Sequence, residues 1–525
     1  MARSSGRNTT TYLAFFILIC LSYLYFRGDS DDTQTRHDYP DLDPVLLGFP
    51  DPNAEPLDGS GENGATSPSE IPWPGVIPVG ILPKVTDQRI KWDKEPIAQT
   101  SVLRHAPGWT VLDSLYAFGD SFYIVTDTPE DFPDLRDILS SGGGAGQDAK
   151  SGNIKFIGTK EAMRLFGHWA SHVAGVTFVS EDAEEFDDED HFSLEVMPGL
   201  WRTFSTLDPD ITIGGNTYLP APSRFIFPHL SSGQWRDHRK INAMMIRASF
   251  PSTSIETNQG WKDRRSIKQA YSFDIVVLAQ TAAARQSPTY EESKRALSNT
   301  LGFFAPRNWW VPVRNSVLEA AGLPRGQTGV IEVDRKITIT YIVTQGRELA
   351  LDYESHNELS KGLRALERDF NWEVHIVIMD SMPLYEQMEM AAKSTILIGI
   401  HGRFLTNLLW MIPNKSSTII ELFLPGYFSP KYQVPAQALG IEHYGIWNST
   451  YFRSDSKDRP ALREHPRLQD ERMDIDTDMI MELIQERILE PEKLSSFSVA
   501  SYVTEDPASD LPKGMKLPVD AEANT

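Results

Sequence analysis

From Lys336 onward, short apolar runs alternate with stretches whose apolar positions return every third or fourth residue. The runs at 336–344 (KITITYIVT), 373–378, 396–400 and 417–423 predict strands. Between them, 353–368 and the stretch from Ser381, with Leu384, Met388 and Ala391 on one stripe, predict helices. An amphipathic helix is predicted from Phe404, another near 434–439, a short strand at 444–447 and a terminal helix at 477–489 carrying Ile480, Leu483, Ile484 and Ile488 on one side. Regular strand–helix alternation implies a parallel, doubly wound sheet.

The first half is less regular. Strands are predicted at 109–116 and 121–126, joined by Gly119-Asp120, and again at 173–179 and 273–278; helices are predicted at 160–166, 290–297 and 314–321. The glycine run 141–146 reads as a loop, because no strand precedes it and no helix follows. The acid-rich run from Glu181 to Asp190 reads as a solvated loop. The pattern thus predicts two Rossmann-like α/β domains, 101–329 and 330–489, facing a cleft in a GT-B-like layout.

Ahead of them, residues 11–26 (TYLAFFILICLSYLYF) are almost wholly apolar, with Arg3 and Arg7 before and acids from Asp29 after. That asymmetry predicts a signal-anchor transmembrane helix over 11–27, a cytosolic tail over 1–10 and a lumenal body. A cleaved signal peptide is the alternative, though bulky Tyr23–Phe26 stand where cleavage wants small residues. Pro, Asp, Gly and Ser dominate 28–100, a composition for a disordered stem; the acidic tail 490–525 reads the same way. The single cysteine, Cys20, lies in the apolar run, so no disulfide supports the body. A net charge of −22 over 525 residues argues against nucleic acid as partner. Sequons at Asn414 and Asn448 are candidate glycosylation sites in a lumenal body.

Candidate chemistry concentrates in 394–423. An apolar strand ends at Ile400, His401-Gly402 makes a turn, a helix follows, and the next strand ends in Glu421 and Phe423. Such a unit sets backbone N–H groups at the carboxyl edge of a parallel sheet, where diphosphates bind; an ordinary buried βαβ unit has the same pattern. In the first half, His191 and Glu195 stand four apart in a predicted helix, pairing a group that titrates near neutrality with a carboxylate. Either is a candidate general base. Asp208-Pro209-Asp210 is the nearest lumenal match to a metal-binding Asp-x-Asp, but no buried strand precedes it. No glycine fingerprint with a Tyr-x-x-x-Lys pair is present, which argues against an epimerase.

These residues carry a resemblance. His105-Ala-Pro-Gly-Trp109, Gly199-Leu-Trp-Arg202, Arg224-Phe-Ile-Phe-Pro-His229, Trp309-Trp310 with Pro312-Val-Arg314, Glu386-Gln387, His401-Gly402, Leu405-Thr406, Glu421-Leu-Phe423 and Trp447–Tyr451 resemble fungal members of glycosyltransferase family 61. That family is related to the EGF-domain O-GlcNAc transferases, the O-mannose β-1,4-GlcNAc transferases and plant xylan-decorating transferases. The resemblance implies a GT-B fold and an inverting, metal-independent transfer. The sugar, xylose or N-acetylglucosamine, passes from a UDP-sugar to a glycan or glycoprotein acceptor. It also implies a single-pass type II protein of the Golgi or ER membrane and no cofactor beyond the donor substrate. On that reading His401, Gly402, Arg403, Thr406 and Asn407 line the diphosphate site, Arg347 neutralises the leaving group, Glu421 meets the ribose hydroxyls or is structural, and His191 or Glu195 takes the acceptor proton. Two places depart from the family spelling: Arg403-Phe404 replace a small pair, and Val343-Thr344-Gln345 stand where Ser-Arg-Gln is usual. A catalytically inactive member, serving as scaffold or partner of an active transferase, is the alternative.

Overall fold

The computed structural model describes residues 88–92, 96–141, 151–183, 190–323, 336–344, 349–453, 460–463 and 471–491. The expected anchor 11–27, the tail 1–10, Cys20, Arg347, the glycine run beyond Ser141 and nearly all of 490–525 lie outside these residues. So does most of the expected stem. Among the described residues, no helix is long and apolar enough to cross a membrane.

The chain is a mixed α/β protein. Its first half builds a nine-stranded sheet from β1 (Arg89–Lys91), β2 (Ser101–Ala106), β3 (Trp109–Phe118), β4 (Ser121–Val125), β5 (Ile154–Ile157), β6 (Trp169–Ser180), β7 (Arg224–Ile226), β8 (Ser254–Glu256) and β9 (Tyr271–Ala279), in the main order β5-β4-β3-β9-β6-β7-β8. β1 falls within the stretch read as stem, yet it pairs antiparallel with the start of β6, and Trp92 and Ile97 behind it are buried. The long central strands run parallel in β6 and β9, whose carboxyl ends Ser180 and Ala279 lie side by side.

The second half builds a six-stranded sheet from β10 (Thr338–Ile342), β12 (Glu373–Val377), β13 (Ile396–Ile400), β14 (Thr418–Leu422), β15 (Glu442–Trp447) and β16 (Thr450–Arg453); β11 (Leu349–Leu351) and β17 (Glu471–Met473) pair separately. The order is β12-β10-β13-β14-β15-β16, parallel except for the last pair. The inner strands β10, β13, β14 and β15 are buried on both faces because both faces are covered, while the edge strands β12 and β16 are only partly so. Ile339, Tyr341, Ile398, Ile420 and Tyr444 pack with the helices 353–370 and 477–489. Ile342, Leu397 and Ile419, pointing the other way, pack with 384–393, 403–410 and 433–439.

That second face shares one core with a face of the first sheet, contributed by Val111, Val176, Phe178 and Val277. Two neighbouring tryptophans bridge the halves. Trp309 Nε1 donates to Ala438 O at 2.9 Å and Trp310 Nε1 to Leu409 O at 2.9 Å, so both rings are buried without an orphaned donor. Burial of rings this size is worth about 4–6 kcal/mol each at the upper bound. Beside them the helix Met197–Ser205 passes so close to β3 that a Cβ on Gly199 would overlap the Trp109 indole.

Candidate active site

β10 lies between β12 and β13, so the chain leaves β10 to one side and later returns on the other. The carboxyl ends of β10 and β13 therefore form the topological switch point, where ligands of open α/β sheets bind. Val343-Thr344 leave β10 on one side of it, and His401-Gly402 leave β13 on the other.

Glu421 sits on β14, flanked by Gly399 on β13 and Gly445 on β15. Two positions away on those neighbours, and therefore on the same face, are His401 and His443. Two glycines open the space, and two imidazoles fill it. His401 Nδ1 lies 2.5 Å from Glu421 Oε1, and His443 Nε2 lies 2.6 Å from Oε2. Glu421 has no exposed surface. Burial alone would raise its carboxyl, but electrostatic attraction and hydrogen bonds from His401 and His443 outweigh burial and hold it below its ordinary value. The ionised carboxylate is acceptor-only, so each facing nitrogen carries a proton. His443 Nδ1 is buried without a hydrogen-bond partner, which an unprotonated lone pair tolerates better than an N–H. For His401, a proton on Nδ1 leaves Nε2 as the other ring nitrogen, away from Glu421. Its ring stacks on Phe423 at 5.2 Å and meets Tyr432 edge-on at 5.5 Å.

Tyr432 joins this group to the first half. Its hydroxyl donates to Asp190 Oδ2 at 3.3 Å; Lys431 Nζ reaches the same oxygen at 2.5 Å, and Thr406 Oγ1 donates to Oδ1 at 2.5 Å. Burial raises the Tyr432 hydroxyl well above its ordinary value, and the charges of Asp190 and Glu421 add to that. The phenol therefore stays protonated and serves as a donor. Asp190 ends the run read as a solvated loop, but it is buried. Lys431 supplies the counter-charge that makes a buried carboxylate tolerable.

The remaining predicted residues divide. His191 opens a π-turn, Phe192–Val196, that runs into the helix 197–205; its Nε2 faces Asp182 Oδ2 at 3.5 Å. Glu195, on the same turn, is buried and directed elsewhere: Oε2 accepts the Leu297 N–H at 2.9 Å, and Oε1 meets Arg295 at 3.5 Å. Gly402 is extended, with φ 165°, a backbone any residue adopts, and the turn after it, Arg403–Trp410, is a 3₁₀ helix rather than the expected α-helix. Arg403 pairs with Asp380 at 2.9 Å. Asn407 is buried and donates to Phe404 O at 3.0 Å, closing the turn on itself. Asp208 is a loop staple, accepting from the Thr217 hydroxyl and the Tyr218 N–H. Of the sequons, Asn448 is exposed in the turn between β15 and β16, whereas Asn414 Oδ1 accepts the Ser416 N–H at 2.8 Å.

Sequence reasoning missed His443, Asp190, Asp182, Tyr432 and Lys431. Period-two spacing carried a signal for the first: Gly399 with His401, and His443 with Gly445, flank Glu421 on adjacent strands. No protein-family model matches this chain, and no curated protein matches it either.

Proposed function

We propose that this protein is an inverting glycosyltransferase of GT-B-like layout, moving xylose or N-acetylglucosamine from a UDP-sugar to a hydroxyl of a glycan or protein. It would be held at the Golgi or ER membrane by its amino-terminal apolar run. The observation that carries this reading is the Glu421-oriented His401 at the switch point of the parallel sheet, because nucleotide diphosphates bind at such edges.

Of the imidazoles that face carboxylates, His401 and His191 are each given a task in the reaction. We assign the donor side to His401, which, protonated on Nε2 while Nδ1 stays on Glu421, donates a hydrogen bond to the leaving diphosphate. We assign the base to His191, whose Nε2 faces Asp182 at 3.5 Å on the first half, where it takes the acceptor proton as the hydroxyl oxygen attacks the sugar carbon opposite the diphosphate. Glu195 positions Leu297 and Arg295 in this account instead of moving protons.

A second reading keeps the fold without the chemistry, as a scaffold for an active transferase. It is favoured by Thr406, whose hydroxyl is committed to Asp190, and by Arg403, committed to Asp380. Incubating the full chain with a panel of UDP-sugars separates the two: UDP release from at least one donor supports the transferase, and no release from any supports the scaffold.

A further inference from the structure

At the carboxyl edge of the first sheet, where β6 and β9 end side by side, a cavity of about 360 Å³ opens. We propose that it binds one neutral, hydroxyl-rich ring of the acceptor, an assignment that rests on the glycosyltransferase reading.

The volume lies at the low end of the roughly 300–1,000 Å³ of small-molecule sites, enough for a monosaccharide-sized group. Its chemistry is that of a hydrogen-bonding cup: Glu181 and Asp182 offer acceptors, His229 and Arg285 donors, and Gln280 and Asn153 both. Rigid placement comes from the residues themselves. Gln280 holds Ser140 through both backbone groups, at 2.7 and 3.1 Å, and Asp182 accepts the Thr281 N–H at 2.7 Å and its hydroxyl at 3.1 Å. Such a wall is ordered before a ligand arrives, which lowers the entropic cost of binding.

Charge selects the ligand class. With Glu181 and Asp182 beside His229 and Arg285, the lining has no surplus of positive charge for a phosphate. An amine would meet carboxylates already engaged, Glu181 by His229 at 2.8 Å and Asp182 by the Thr281 N–H at 2.7 Å and its hydroxyl at 3.1 Å. A neutral polyol uses the remaining acceptor capacity, about four lone-pair sites per carboxylate, without adding charge. The cavity also stands in the right place. Asp182 lines it and faces His191, and the neighbouring Asp190 meets Thr406 and Lys431 beside His401.

The test is saturation-transfer NMR of the full chain with methyl glycosides of neutral pentoses, hexoses and N-acetylhexosamines, repeated with UDP present. At least one glycoside should bind, and UDP should leave it bound. Ala282→Phe, which fills the cavity, and Asn153→Ala, on the segment entering β5, should each weaken it roughly tenfold or more while leaving UDP binding unchanged. Three results overturn the inference: no glycoside bound by a chain that still binds UDP, displacement of the glycoside by UDP, or both variants binding as the wild type does. Glycoside binding without UDP binding would support the cavity and overturn the transferase reading.

Discussion

Replacing Glu421 with glutamine keeps the shape of the buried His401–Glu421–His443 cluster and removes its charge. In the wild type, two hydrogen bonds of 2.5 and 2.6 Å end on an ionised carboxylate, and bonds of this kind are worth about 1.5–3 kcal/mol each. The amide has one acceptor oxygen and one NH₂, so one imidazole must turn from donor to acceptor. His443 cannot do so cheaply, since its displaced proton would sit on the partnerless, buried Nδ1, a cost of about 1–3 kcal/mol. His401 is the one that changes: its side chain keeps 16% of its surface, so its proton can move to Nε2 at the sheet edge. The net loss of stability at neutral pH is therefore about 1–3 kcal/mol, as two charge-assisted bonds become neutral ones. The pH dependence follows from the sign of the shift. A carboxyl held below its ordinary value in the folded state contributes stability above its unfolded value and loses it as pH falls through the folded value. Urea unfolding should show the wild type and Glu421→Gln differing most at neutral pH and converging in acid, below the ordinary glutamate range. Ring-nitrogen NMR shifts should show the His401 proton moving from Nδ1 to Nε2, with transfer activity lost. An equal stability gap at acid and neutral pH, or an unchanged His401 tautomer, would refute this reasoning.

Gly199→Ala should destabilise the fold by about 1–3 kcal/mol in chemical denaturation, because the added methyl overlaps the Trp109 ring between β3 and the helix 197–205. Thr406→Val removes a donor from buried Asp190; a loss of about 1–3 kcal/mol is expected, and Asp190→Asn in the same chain should make it smaller in a double-mutant cycle. If the body is lumenal, Asn448→Gln should abolish an endoglycosidase-sensitive mobility shift, whereas Asn414→Gln should leave it, since Asn414 Oδ1 is engaged within its own turn.

The alternation of the second half was legible because β10, β13, β14 and β15 are buried on both faces and the helices 353–370 and 384–393 between them each carry one apolar stripe. The site was only partly legible. His401 and Glu421 announced themselves at the ends of apolar runs, but His443 is embedded in a strand whose neighbours are also buried, and only the sheet register brings it to Glu421. Asp190 was hidden for a different reason. In a run of acids, composition does not say which carboxylate will be taken inward, and its counter-ion, Lys431, comes from the far half of the chain. The turn after Gly402 shows a third limit: the apolar spacing of 404–411 suits an α-helix, but tight packing of Phe404, Leu405, Leu408 and Leu409 into the shared core accompanies a 3₁₀ geometry instead.

The central claim, that His401 stands at a nucleotide diphosphate site, is tested most directly by titrating UDP into the full chain and into His401→Ala by calorimetry. The account predicts saturable binding by the wild type, weakened about tenfold or more in the variant. Equal binding by both chains, or none by the wild type, would contradict it.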